Sequence, residues 1–451
     1  MTQKLGKANK LLEDPEGLCL YRLTMPMIIG IVAIMAFNLI DAYYIGMLGA
    51  KPLAAMAFTV PITAAVFALT LGLSSGTSAV LARIFGRGDR PLARRILTHT
   101  ILFAILLLGT LSLVGLALID PIFRAMGADD QLLSLIREYM SVWFLGITVL
   151  VIPMVSNGAL RASGDTKSPS FIMSVSALIN GILDPLLIFG LGPFPEMGMK
   201  GAALSSVLAW TFSCIAALTI LIRRENLIEF ALPTVSKLLD SWAQVFRIAM
   251  PAVLNNLMAP IAMLVIISVV AQFGEAAVAA TGVGARLEPA LMIVVMSMTA
   301  GVGVMVGQNH GAGKLHRVRK TAQIGFRFVF VWQLGLAVLL ILFSSVLAGV
   351  FTDEKAVEEV LKRYFWIQPI SFGMLGVSML SISILNALHQ PSIAILISVF
   401  RLFGLTIPFV YLGAMLRGVE GVYMGAALAN IIIGIFSYFL MRDRLNKLQQ
   451  P

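Results

Sequence analysis

The sequence predicts an all-α membrane protein of twelve transmembrane helices, and three observations predict it. Of its 451 residues, 59% are hydrophobic and only 12% charged, and the mean hydropathy is +0.92. A soluble globular chain is about half apolar and about a quarter charged. Long uncharged runs recur from end to end, each able to supply the ~20 residues a helix needs to cross a bilayer. The second half of the chain also repeats the first at a nearly fixed spacing. The short alternating segments of a membrane β-barrel are absent from the sequence.

The apolar runs centre near residues 36, 67, 108, 150, 179, 211, 259, 293, 335, 376, 402 and 432, which we number spans 1 to 12. The first 22 residues are polar and charged, without the short apolar core and cleavage site of a signal peptide, so the first span is expected to be retained. Lys and Arg set the orientation. Twenty-two lie on the side of the N-terminus, eight lie on the other, and Arg286, Arg327 and Arg401 fall at membrane depth. This bias places both termini in the cytoplasm of a multi-pass inner (plasma) membrane protein. It also accounts for the net charge of +10, which sits in short loops between spans and needs no nucleic acid partner. Cys19 and Cys214 lie in contexts that suggest neither a disulfide framework nor a metal site.

The repeat is read directly. LYRLTMP at 20–26 matches VFRIAMP at 245–251, an offset of 225. The same offset carries Gly49 to Gly274, Gly76 to Gly301 and Tyr139 to Tyr364. IFGRGDRPLARR at 84–95 falls on NHGAGKLHRVRK at 309–320, and KGAAL at 200–204 resembles MGAAL at 424–428. Six spans per repeat return the chain to its starting side, so the repeats are parallel and related by an axis along the membrane normal. The expected organisation is a cytoplasmic segment 1–22, an N-lobe 23–222, a cytoplasmic linker 223–242, a C-lobe 243–441 and a cytoplasmic tail 442–451. Two such lobes are expected to frame a central cavity.

The chemistry of interest is charge at membrane depth. Asp41 lies in FNLIDAYYIG, inside span 1. An ionised Asp at a helix centre costs about 2.5–3.5 kcal/mol on insertion scales, and such residues face a protein interior or a wet cavity. The repeat places Ile266 at the equivalent position, so the scaffold does not require an acid there. Asn38 and Tyr44, three residues to either side, lie near the same helical face. Asp184 in span 5 has Asn180 one turn before it, and its repeat counterpart is Ile407. Asp41 and Asp184 lie at similar depth in helices running the same way, so they can share one outward-side pocket. Two nearby carboxylates in a low dielectric resist joint ionisation and can carry a proton. The same oxygens can instead coordinate Na⁺. In the second repeat Glu288 and Arg401 lie at similar depth, as a structural pair or as a further substrate or coupling site. No His, Cys or acid spacing suggests a bound metal or cofactor, and no catalytic motif suggests an enzyme.

VFRIAMP, ARIFGRGDRPLARR (82–95), GQNHGAGKLHRVRK (307–320), GALRASGDTKSPS (158–170) and the two GAAL segments resemble the multidrug and toxic compound extrusion (MATE) family, over about residues 15–445. The resemblance implies a secondary active exporter that expels cationic amphipathic compounds in exchange for H⁺ or Na⁺ by alternating access, acting as a monomer. Asp41, Asn180 and Asp184 are similar to the acidic and amide positions of its DinF-like branch, and Asn157 in VSNGAL is expected to join them. The branch with acids in spans 7 and 10 fits less well, because span 7 has Asn255 and Asn256 and span 10 has no acid. A lipid-linked oligosaccharide flippase of similar fold is the alternative expectation.

Overall fold

The computed structural model describes residues 10–231 and 234–447, with the side chain of Asn38 outside the described set. Among the described residues the chain is almost entirely helical. Spans 1 to 7 are Glu16–Met47, Ala50–Gly86, Arg90–Ala117, Asp130–Ala162, Lys167–Ile188, Gly198–Arg224 and Val235–Phe273. Span 8 is a pair, Glu275–Leu291 and Ile293–Gly311, bent by 40° just after Pro289. Spans 9 and 10 are Leu315–Leu342 and Lys355–Ala387. Spans 11 and 12 share the segment Pro391–Lys447 and meet where Arg417 and Gly418 leave helical geometry. With that segment divided at the break, the described residues hold twelve spans, as the apolar runs predict.

Local chemistry marks the helix ends. Asp89 and Asp129 cap spans 3 and 4, accepting hydrogen bonds from the amides of Leu92 and Leu132 at 3.0 and 2.8 Å. Each cap satisfies an N–H that the helix cannot pair internally. The repeat extends to backbone conformation. Gly49 and Gly274, 225 residues apart, both start a helix at positive φ, 118° and 96°, where a side chain would be strained. Gly201 and Gly425 are also equivalent. A Cβ on either would stand 2.4 Å from the Leu187 carbonyl oxygen or 2.1 Å from that of Phe409. The GAAL motif therefore allows span 6 to press on span 5, and span 12 on span 11.

The chain divides into two compact units. One is Met25–Val253, with a core that includes Ile96, Leu97, Trp143, Phe144 and Ile147. The other joins the described part of Met1–Thr24 to Leu254–Pro451. In it Leu11, Leu20 and Leu23 pack with Val302, Val318, Phe326 and Leu380.

These boundaries differ from those expected at 22/23 and 242/243, and the contacts give the reason. Ile228, Ser241 and Trp242, all within the expected linker, contact span 3. Arg94 donates to the Ile228 carbonyl at 2.6 Å, Trp242 donates to the His99 carbonyl at 2.8 Å, and His99 Nδ1 meets Ser241 Oγ at 2.9 Å. In the other unit residues 11–16 pack on span 9. Lys314 donates to the Leu12 carbonyl at 3.0 Å and Arg317 to that of Asp14 at 2.5 Å. Glu16 pairs with Lys320 at 2.9 Å and with Arg317 at 3.4 Å. The lead-in to each repeat's first helix thus belongs to the unit built by the other repeat.

Candidate ion-coupling site

Span 5 places Asn180 and Asp184 one turn apart on a buried face. The Asn180 amide donates to Asp184 Oδ1 at 3.1 Å and to Ser205 Oγ, on span 6, at 2.9 Å. Ser205 in turn donates to the same Asp184 oxygen in a short contact. Asp184 is fully buried, and its second oxygen, Oδ2, has no donor among the described residues.

Asp41 is buried on span 1, and its Oδ1 also has no donor among the described residues. It lies within the electrostatic field of Asp184. Buried Tyr139 on span 4 lies within the fields of both acids. Counted from their own helix ends at Met47, Asp130 and Ile188, the three sit about 9, 14 and 6 Å along the helix axes at 1.5 Å per residue. Two carboxylates, each with an unpaired buried oxygen, form a site short of positive charge. Burying such an oxygen without a donor is costly, and a proton or a cation removes the cost.

Of the other expected members, Tyr44 is half-buried and packs edge-on against Phe189, with ring centroids 6.2 Å apart. The Asn38 side chain lies outside the described residues. Asn157 is not brought to the acids. It shares span 4 with Tyr139 but follows it by eighteen residues, about 27 Å along the axis. There it neighbours a different polar cluster, in which Ser74 donates to the Met154 carbonyl at 2.6 Å and accepts from Arg161 at 2.9 Å.

Two contributors, Tyr139 and Ser205, carry little signal in the sequence. Tyr139 is visible in the sequence only as the repeat partner of Tyr364, and the link to the acids is the field that both exert on it. Ser205 carried no signal, since serine is common in membrane helices and its value here lies in one contact across spans.

In the second unit Glu288 and Arg401 are each partly exposed and lie within each other's field. No N···O contact within 4.0 Å joins them, so the expected direct pair is not formed. Tyr364 packs over Gly284, one turn before Glu288, and meets Tyr423 edge-on at 5.3 Å. Tyr423 bonds Thr281 at 2.7 Å.

The described architecture can be set beside known proteins. The sequence model of the MatE family matches residues 26–186 and again 251–412, two segments whose starts are 225 residues apart. A protein of Shewanella oneidensis called FAD transporter is 37% identical over 430 residues, 95% of each chain. The multidrug export protein MepA of Staphylococcus aureus is 24% identical over 443 residues, 96% of each chain. Two crystal structures of the Vibrio cholerae MATE transporter VcmN, one in a bent form and one of a mutant, superpose with a TM-score of 0.90 at 30% identity, covering 99% of both chains. With the family model matched to both repeats and the fold shared from end to end, the chain belongs to the MATE family of membrane transporters.

Proposed function

We propose that the protein is a secondary active antiporter of the DinF-like branch, exporting amphipathic organic compounds, cationic ones among them, in exchange for H⁺ or Na⁺. The observation that carries the coupling is the pair of buried, unpartnered carboxylate oxygens, Asp41 Oδ1 and Asp184 Oδ2. A site of this kind binds a cation and, having only two acids and a few neutral ligands, releases it again. Asn180 and Ser205 fix one face of Asp184, and Tyr139 lies within the fields of both acids. Asp41 and Asp184 have the apolar counterparts Ile266 and Ile407 in the second repeat, which supports the branch assignment. The names of the relatives, multidrug export protein and FAD transporter, support an organic cargo over a lipid-linked oligosaccharide. The positive side of the chain supports a plasma-membrane orientation with both termini in the cytoplasm, and a single chain holds both repeats of the transporting unit.

The test is efflux of a fluorescent cationic dye from proteoliposomes under a pH gradient alone and a Na⁺ gradient alone. Transport driven by either gradient, and abolished in Asp41→Asn and Asp184→Asn, is the expected result. Full gradient-driven efflux in both variants would overturn the coupling role.

A further inference from the structure

The helix that carries Arg401 holds one residue more than its repeat counterpart. Pro169 and Pro391 are equivalent at an offset of 222, and Pro185 and Pro408 at an offset of 223. One residue has therefore been added between the two prolines of the second repeat. The structure places it in a π-helix, Phe400–Thr406. Single extra residues are accommodated in this way, frequently at functional sites. Thr406 donates to the Arg401 carbonyl at 2.8 Å, five residues back, which fixes the widened turn. In the first repeat the corresponding stretch is plain α-helix, and the positions matching Arg401 are Leu178 and Ile179. The scaffold thus needs neither the extra residue nor the charge.

The guanidinium of Arg401 has no hydrogen-bond or ion-pair partner among the described residues. An arginine at membrane depth faces a wet cavity or a counter-charge. Glu288 supplies charge at a distance but does not occupy the donors. One turn before Arg401, Ser398 bonds Asn255 of span 7, which anchors this helix beside the open guanidinium. A planar fork of five N–H groups matches the two oxygens of a carboxylate or phosphate.

We infer that Arg401, presented by the π-helix, is an oxyanion-binding subsite that takes a phosphate or carboxylate group of the cargo. The inference rests on the export reading above and adds the chemical class that the second repeat recognises. The first unit carries acids without a matching arginine, and the second carries the arginine, so ion coupling and oxyanion recognition are divided between repeats.

The test uses two probes differing only in a phosphate, riboflavin and riboflavin 5′-phosphate, bound to the purified full-length protein and read by flavin fluorescence anisotropy. Wild type is expected to bind the phosphorylated probe about ten-fold or more tighter, as a charge-assisted hydrogen-bonded contact allows. Arg401→Gln should bring the ratio to about one while leaving riboflavin affinity in place, and Glu288→Gln should retain the preference. A wild-type ratio of one, or an equal loss of both probes in a folded Arg401→Gln protein, overturns the inference. If Arg401→Gln does not fold, Arg401→Lys decides: it keeps the charge without the two-point fork. A several-fold lower ratio is then expected, and an unchanged one overturns the inference.

Repeating the measurement in phosphatidylglycerol nanodiscs separates the sources of the oxyanion. A preference that persists there assigns the subsite to cargo. One that is lost as the lipid is added assigns the same subsite to a lipid phosphate. Asp41→Asn should abolish transport and leave the ratio untouched, so failure of the coupling reading and failure of this one are told apart.

Discussion

Asn180 and Ser205 both donate to Asp184 Oδ1, which leaves Oδ2 of the same carboxylate buried and unpaired. The acid is therefore held from one side and available from the other. Ser205→Ala removes one donor and leaves Asn180 in place. A hydrogen bond to a charged group contributes about 1.5–3 kcal/mol. We expect gradient-driven dye efflux to fall several-fold in Ser205→Ala and to vanish in Asp184→Asn, with both proteins still monodisperse. Unchanged efflux in Ser205→Ala would remove Ser205 from the site.

Tyr139 and Asn157 lie on one helix but at opposite depths, so they should behave differently. Tyr139→Phe deletes a buried hydroxyl that lies within the fields of both acids. It is expected to slow ion-driven efflux without altering dye affinity. Asn157→Ala, about 27 Å away along span 4, should leave the coupling ion and its concentration dependence unchanged. Efflux measured against proton or Na⁺ concentration in the two variants checks the pair. A shifted ion dependence in Asn157→Ala would contradict the placement.

How far the site was legible follows from these residues. Asp41, Asp184 and Asn180 could be found because a carboxylate at membrane depth is costly and the i, i+4 spacing puts Asn180 on the face of Asp184. Asn157 was drawn in by resemblance, although its eighteen-residue distance from Tyr139 on an unbroken apolar run already set its depth. Ser205 could not be found, because a serine gains its role only from the helix it touches. The repeat was legible at the level of turns, as Gly49 and Gly274 show. The exchange of lead-in segments was not, because the repeat says which residues are equivalent and not which unit they pack in. The π-helix was readable in the change of offset from 222 to 223 between the two proline pairs, a signal visible only when both pairs are compared.

The contact of Gly425 with the Phe409 carbonyl makes a stability prediction. Adding a side chain where even a Cβ would stand 2.1 Å from a backbone oxygen forces spans 11 and 12 apart. Overpacking of this kind costs about 1–3 kcal/mol or more. Gly425→Val is expected to lower the melting temperature in detergent, and its repeat equivalent Gly201→Val should do the same. A wild-type melting temperature in either variant would mean that the helices can separate freely at that point.

Glu16 holds two cations that differ in burial, and this separates a buried pair from a surface one. The Arg317 and Glu16 side chains are 9% and 6% exposed, whereas the Lys320 side chain is 62% exposed. Lys320→Ala should change thermal stability by less than about 1 kcal/mol, since an exposed partner is screened by water and salt. Arg317→Ala also removes bonds to the Asp14 carbonyl and to Asn309 Oδ1, and it leaves Glu16 buried with one exposed partner. Breaking a buried pair costs about 3–5 kcal/mol, so a large fall in melting temperature is expected. Because the lost contacts dock residues 11–16 on span 9, amide hydrogen exchange in that segment should rise before exchange in the span itself. Equal effects of the two substitutions would show that Glu16 acts by charge alone, and that the buried contacts of Arg317 do not hold the segment.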